Sequence, residues 1–335
     1  MPARFFDAEN ARCGLCARRC KILPGETGFC RVRQNIGGTL YTKTYGRVTA
    51  CGTDPVEKKP LNHFLPGSTT LSISSFGCNF TCLHCQNHEL SQCTDTDTAD
   101  ADTADVSPMN IISAAKETGA QSISFTYNEP TVFYEFMYDT AREAKRAGLK
   151  TIMVTNGYLS CEAQKEIAPY MDAVRVDLKA FSDAFYRDVC GGAALQPVLD
   201  TIVRTKELGC HLELVTLLIP GLNNSEEELS SMLEWEMETL GPAVPHHFTA
   251  FYPMYKMKDV PPAAYSHLDA AFRLAKKEGL YYPYTGNLYH PEGTTTYCPD
   301  CGAVLIRRRG YRADASGLIN GRCSRCGRKI EGVFE

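Results

Sequence analysis

An α/β chain built on a parallel sheet is the fold class the sequence predicts, and three observations carry it. Between Thr69 and about Pro291, β-prone runs at 69–75, 121–126, 149–155, 172–178, 210–217 and 246–252 alternate with helix-period stretches at 108–118, 131–147, 160–168, 195–208, 225–240 and 262–279. Pro108 and Pro130 stand where helices begin, and Gly119, Gly148 and Gly209 where they end. Proline's fixed φ suits a first helical turn, and glycine suits the left-handed turn that closes one. Finally, every β-prone run leads into a polar motif. Six β/α repeats with short links imply parallel strands, in an open barrel or a doubly wound sheet, and both place ligands at the carboxyl ends of strands.

Taken in order, residues 1–67 form a cysteine-rich N-terminal module. Thr39-Leu-Tyr-Thr-Lys-Thr and Val48-Thr-Ala read as a hairpin meeting at Tyr45-Gly46-Arg47, followed by an irregular Pro- and Gly-punctuated connection over 54–67. The barrel or sheet region spans 68–291. Its first strand runs into Gly77-Cys-Asn-Phe-Thr-Cys-Leu-His-Cys-Gln-Asn87, the second into Thr126-Tyr-Asn-Glu-Pro-Thr131 and the third into Thr155-Asn-Gly-Tyr158. The fourth ends in Asp177-Leu-Lys179, the fifth in Ile219-Pro-Gly-Leu-Asn-Asn224 and the sixth in Phe251-Tyr-Pro-Met-Tyr-Lys256. Six polar motifs on one rim make a site where one alone would be a turn signal. Thr94 to Asp105 is an acidic low-complexity insert that reads as a solvated loop, because it lacks the glycine and closing glutamate of a calcium loop. Residues 292–335 form a small C-terminal module.

Composition narrows the function. A formal charge of −4 gives no reason to expect a nucleic acid or an anionic membrane as partner, and the chain has neither an apolar leader nor a run of about 18 apolar residues, so a cytoplasmic protein is expected. Cysteine is the outlier, at 16. Eleven of them fall into three tight groups: Cys13, Cys16, Cys20 and Cys30; Cys78, Cys82 and Cys85; Cys298, Cys301, Cys323 and Cys326. Short C-x-x-C spacings without a leader point to metals and away from a disulfide scaffold.

Three thiolates on one tight loop, Cys78, Cys82 and Cys85, can hold three irons of a [4Fe–4S] cluster and leave the fourth without a protein ligand. An open position is what a reactive metal site keeps. The competing reading is a zinc site that borrows Cys93 or His88. The loop resembles the signature of the radical S-adenosylmethionine (SAM) superfamily. The wider pattern, which covers nearly the whole chain, resembles the radical SAM proteins of the AmmeMemoRadiSam system, relatives of the activases of glycyl-radical enzymes. It includes the N-terminal cysteines, Asp54-Pro-Val-Glu-Lys-Lys-Pro-Leu61, Cys85-Gln-Asn, Tyr127-Asn-Glu-Pro-Thr, Thr155-Asn-Gly-Tyr, Asp177-Leu-Lys-Ala-Phe, Ile219-Pro-Gly-Leu-Asn and the closing cysteine pairs.

The resemblance implies a partial (β/α)6 barrel, with Cys78, Cys82 and Cys85 on the cluster and SAM chelating the fourth iron. Glu129 would bind the methionyl ammonium by a charge-assisted hydrogen bond. Thr155, Asn156, Asp177 and Lys179 would reach the carboxylate or ribose, and His84 would pack near the adenine. It implies a 5′-deoxyadenosyl radical that takes hydrogen from a substrate, with a flavodoxin or ferredoxin as reductant and sensitivity to oxygen. Two departures stand out: Tyr127-Asn128 replace the family's two glycines before the glutamate, and Val154 replaces an aspartate of the activases, which counts against a monovalent-cation site. The substrate, a small molecule or a protein, is not legible. Activation of a glycyl-radical enzyme is the alternative reading, disfavoured by the 77 residues ahead of the loop, and a non-catalytic zinc-binding interaction protein is a third.

The terminal groups carry other metals. Cys298-x-x-Cys301 and Cys323-x-x-Cys326, 21 residues apart, form a zinc-ribbon pattern of two knuckles. Structural zinc supplies about 10–16 kcal/mol, which decides whether so small a module folds. Arg307-Arg-Arg309 between the knuckles reads as an exposed ribbon face. Cys13-x-x-Cys16-x-x-x-Cys20-x9-Cys30 fits zinc or a second iron–sulfur cluster, zinc being preferred because nothing nearby in the sequence marks an electron path. Of Cys51, Cys93, Cys161, Cys190 and Cys210, most read as buried small hydrophobes. Cys190, soon after Asp177-Leu-Lys, is a candidate hydrogen donor or substrate contact.

Overall fold

The computed structural model describes residues 1–93 and 106–335, so the acidic insert lies outside the described residues. One eight-stranded sheet organises the chain. In order along the sequence its strands are β1 (Ala50–Pro55), β2 (Thr69–Ser74), β3 (Ser122–Phe125), β4 (Lys150–Thr155), β5 (Ala173–Asp177), β6 (His211–Leu218), β7 (His246–Ala250) and β8 (Pro283–Gly286). Each lies beside its sequence neighbours, from β1 at one edge to β8 at the other. All pairings from β2 to β8 are parallel, and β1 joins β2 antiparallel. Ile73, Phe125, Met153, Val174 and Leu212 lie in register across five strands. Every residue of β3 and of β7 is buried. Strands covered on both faces read as unbroken β-prone runs, which is why these were visible in the sequence.

Helices α1 (Pro108–Glu117), α2 (Tyr134–Arg146), α3 (Cys161–Ile167), α4 (Asp183–Asp188), α5 (Gln196–Glu207), α6 (Glu226–Thr239) and α7 (Tyr265–Lys277) connect the strands. Ser107, Ser160 and Ser225 start three of them by accepting the first free backbone N–H groups, the standard serine cap. The architecture is the α/β open barrel the resemblance implies, with a seventh parallel strand added.

Three differences have physical causes. The hairpin forms one segment earlier, Arg33–Ile36 with Thr39–Thr42 about Gly37-Gly38, because both glycines have positive φ and a two-residue hairpin turn needs that. Residues 50–55 therefore join the barrel sheet, and Pro55 is tolerated there because β1 is an edge strand. β8 escaped sequence reading because it is four residues long and opens on Pro283, again allowed at an edge.

The terminal modules dock on different ends. The segment between β1 and β2 closes the amino-terminal end of the barrel, packing Val56, Leu61, Phe64 and Leu65 against Ile152 and Ala173. The C-terminal module sits on this plug: Val333 and His63 pair through their backbones, and the Arg308 guanidinium donates to the Asn62 carbonyl at 2.5 Å. Arg308 is thus buried, and the Arg307-Arg-Arg309 run is not the uniformly exposed face expected of it. The N-terminal module instead caps the other end, pairing Cys16 with Leu159 and tying Leu15 to Ser160 just after β4. Among the described residues no helix is long and apolar enough to cross a membrane.

Candidate active site

The carboxyl ends of β2 to β5 bring the predicted residues into one network. Glu129 follows β3 and is 3% exposed. Its Oε1 accepts from the Thr131 amide at 3.1 Å, the Thr131 hydroxyl at 2.5 Å and the Thr155 hydroxyl at 2.7 Å, while Oε2 accepts from the Asn156 amide at 2.7 Å. The bond to Thr131 makes Glu129 the cap of the short Pro130–Phe133 turn, as a glutamate before proline would be, but three further donors exceed what a cap needs. A carboxylate has about four lone-pair sites, so Oε2 retains one. Burial pushes the Glu129 carboxyl up, and its charge in turn helps keep the Cys78 thiol up, behind burial itself. A cation between them would relieve both.

Asn156 links this carboxylate to the cysteine loop. Its amide nitrogen donates to Asn79 Oδ1 at 2.7 Å and lies 4.0 Å from Cys78 Sγ. Asn79, which sequence reading passed over, is signalled only by its place next to Cys78. The loop is held from beneath by the segment after α4: the Thr81 and Leu83 amides donate to the Cys190 and Val189 carbonyls at 3.3 and 3.0 Å. Gly191 is required there, since it has φ +78° and a Cβ would meet Thr81 Oγ1 at 1.9 Å.

Cys190 is fully buried against Cys82. The two buried thiols interact: Cys190, with Lys179, pulls the Cys82 pKa down against burial, while burial and then Cys82 raise that of Cys190. That position suits a hydrogen bond to a metal-bound sulfur better than a contact with a substrate. Of the other four ungrouped cysteines Cys51 is exposed and Cys93, Cys161 and Cys210 are half-buried, so the expectation of buried small hydrophobes fails for them.

Asp177 and Lys179 pair at 3.1 Å, and Arg175 also reaches Asp177, at 2.5 Å. Burial opposes the Lys179 charge, but Asp177 and the thiols of Cys82 and Cys190 outweigh it and raise its pKa. Burial likewise opposes the charge of Asp177, and Arg175 and Lys179 outweigh it and hold its carboxyl low. His84 is buried near this pair; burial and then Lys179 push its pKa down to about 3, and its Nδ1 has no hydrogen-bond partner. Asn223, also missed in the sequence, fastens the loop after β6 to this strand end by donating to the Lys179 carbonyl at 2.7 Å.

Tyr127 occupies the first family glycine position with φ +66°, a left-handed conformation that costs a non-glycine residue energy. Its hydroxyl donates to Asp54 at 2.7 Å, and Asp54 also pairs with Lys58 and Lys59 at 2.7 and 2.6 Å. The Asp54-Pro-Val-Glu-Lys-Lys motif therefore anchors the Tyr127 turn.

The three cysteine groups differ in spacing. Among the described residues, Cys298, Cys301, Cys323 and Cys326 are the one group of three or more potential ligands whose ligating atoms all lie within 4.8 Å of one another. Cys298 and Cys326 are 3.6 Å apart, Cys301 and Cys323 3.7 Å. Tetrahedral zinc with bonds near 2.3 Å would separate its sulfurs by about 3.8 Å. The C-terminal group can therefore hold a metal ion as it stands. Neither Cys78, Cys82 and Cys85 nor the N-terminal four meet that spacing.

Residues 72–234 match the model of the radical SAM superfamily. An uncharacterized protein of Methanocaldococcus jannaschii is 42% identical over 331 residues, 98% of this chain and 97% of its own. The isethionate sulfite-lyase activating enzyme of Oleidesulfovibrio alaskensis is 26% identical over 129 residues, 37% of this chain and 41% of its own. Among solved structures, a radical SAM methyltransferase from Sphaerobacter thermophilus superposes with a TM-score of 0.51 and 16% identity, over 67% of each chain, a likeness of fold.

Proposed function

This chain belongs to the radical SAM superfamily, and from that premise we propose that it is an enzyme that binds a [4Fe–4S] cluster through Cys78, Cys82 and Cys85 and SAM beside it. When bound, that pair supplies a one-electron reductive cleavage of the C5′–S bond, giving a 5′-deoxyadenosyl radical that takes hydrogen from a substrate. The observation that carries the reading is Glu129: a buried carboxylate held by four donors, with one acceptor site left, beside Cys78. An ammonium group satisfies that site and offsets the cost of burying the charge. The orphaned Nδ1 of His84 supports a ligand on that side. Lys179 supplies a fixed positive charge near Cys82, Asn156 orients the loop through Asn79, and the loop after β7 covers it, the Lys256 amide donating to the Leu83 carbonyl. Enclosure of this kind excludes water from a reactive intermediate. A low-potential flavodoxin or ferredoxin fits as reductant, and handling without oxygen follows from a fourth iron that no protein side chain ligates.

A second reading, activation of a glycyl-radical enzyme, is favoured by the aligned stretch of the isethionate sulfite-lyase activating enzyme. The 77 residues ahead of the loop, whose cysteine-bearing part packs on the site face through Cys16, Leu15 and Cys30, favour the first. Anaerobic reconstitution tests both. The wild-type chain should gain about four irons at the loop and release 5′-deoxyadenosine from SAM on reduction, and Cys82→Ala should lose both while keeping C-terminal zinc. Product from the Cys82→Ala chain would refute the cluster assignment. Glu129→Gln should weaken SAM binding about ten- to a hundredfold, the worth of one charged hydrogen bond.

A further inference from the structure

We propose that the N-terminal module holds a second iron–sulfur cluster, ligated by Cys13, Cys16, Cys20 and Cys30, which passes electrons to the loop cluster. The relay role rests on the radical SAM reading of the loop; the site itself does not. All four cysteines line one cavity. Their sulfurs are not drawn together to the spacing of the C-terminal group.

The opposite wall of the cavity supplies donors. Asn79 and Arg33 both line it and are each 1% exposed, and Asn79 Nδ2 and Arg33 Nε are buried atoms that the protein leaves without an acceptor. Arg33 Nη1 already lies 3.9 Å from Cys13 Sγ. Orphaned donors are costly in a protein interior, and hydrogen bonds to sulfur are a means by which proteins set cluster potentials.

The same wall is the back of the active site. Asn79 follows Cys78 in the chain and accepts from Asn156. Gly77, which precedes Cys78, packs so tightly on the Cys30 carbonyl that a Cβ would approach it to 2.7 Å. Arg18, also lining the cavity, donates to the Asn79, Gly191 and Gly192 carbonyls at 2.6, 2.7 and 3.2 Å. The two cysteine groups are thus separated by a single layer of residues. In the relay, one electron enters from a low-potential protein reductant and leaves to the loop cluster, and no bond is made or broken.

The test uses the full chain, purified anaerobically with iron and sulfide supplied, and reads metal content, sulfide and the electron paramagnetic resonance of the reduced protein. Wild type should carry more iron and sulfide than the roughly four irons one cube holds, together with zinc. Cys78→Ser/Cys82→Ser/Cys85→Ser should stay coloured and keep an iron–sulfur signal. Cys16→Ser/Cys20→Ser should lose the extra irons, keep the loop cluster and lose the magnetic coupling between the two. A colourless triple variant, or zinc in the N-terminal group in place of iron, overturns the proposal, and the triple variant decides even where Cys16→Ser/Cys20→Ser fails to fold. Full iron loading of both groups without 5′-deoxyadenosine would sink the radical reading and still support the second cluster.

Discussion

The two terminal modules each present four cysteines, yet the fold uses them differently. The C-terminal four are already gathered to tetrahedral spacing, and their module rests on the plug at the closed end of the barrel. The N-terminal four are spread around a cavity whose far wall is the cysteine loop itself. One module sits on the closed end of the barrel and the other against the candidate site. Equal ligand counts do not imply equal duties; which end of the barrel a module caps decides them.

The sharpest way to break this comparison is to strip the C-terminal metal. Structural zinc at a site of four such thiolates supplies about 10–16 kcal/mol, so on the zinc reading Cys301→Ser should unfold the module and loosen the plug. Tyr282 would lose Glu331, His63 the Glu331 carbonyl, and Asn62 the Arg308 guanidinium. At about 1 kcal/mol for each such bond, Tm should fall by roughly 4 °C. Iron content and 5′-deoxyadenosine yield should hold in calorimetry-matched samples below that Tm. Loss of the loop cluster in this variant would mean the modules are not separate in function.

Arg18→Ala probes the opposite module. Three carbonyls on two segments share this guanidinium, so its removal should cost on the order of 2–4 kcal/mol and speed loss of loop iron in air. Arg18→Lys should recover little, because an ammonium cannot span three acceptors as a planar fork can.

The plug carries a pH signature of its own, set by a histidine that faces no residue of the cysteine loop. Burial pushes the His63 pKa down to about 3, with Tyr284 at 2.7 Å on one ring nitrogen and the Glu331 carbonyl on the other. Between pH ~3 and ~6.5 the unfolded chain binds a proton there that the folded chain excludes. Stability from this group is therefore complete above about 6.5 and is lost as pH falls through that window. Thermal melts should show Tm dropping on acidification more steeply for wild type than for His63→Gln; equal slopes would remove His63 from the account.

The smallest effect belongs to Cys190. Its thiol lies against Cys82, and a thiol donor to a cluster sulfur there would favour the reduced, more negative state. Cys190→Ala should lower the loop cluster's potential in a redox titration, and Cys190→Ser should restore it. An unchanged potential with altered substrate turnover would return Cys190 to the role of substrate contact.

Much of this was legible in the chain. Six of the seven parallel strands announce themselves because burial on both faces leaves uninterrupted β-prone runs, and the helices because serine, proline and glycine mark their ends. Glu129, Thr155 and Asn156 could be placed on one rim from strand order alone. Residues that act across elements were not legible. Arg18, Asn79, Asn223 and the Cys82–Cys190 contact join segments far apart in sequence, and β1 and β8 are edge strands whose prolines argue against them until their neighbours are known.

Local pattern determined the repeat of strand and helix, the three cysteine groups and the loop that carries three of them, because spacing along the chain sets which side chains share a turn or a strand end. Only the tertiary structure decided that one cysteine module staples the barrel's closed end while the other backs onto its open one. Docking is a matter of long-range packing, of Phe64 and Val333 at one end and Gly77 and Cys30 at the other, and no short-range spacing encodes it.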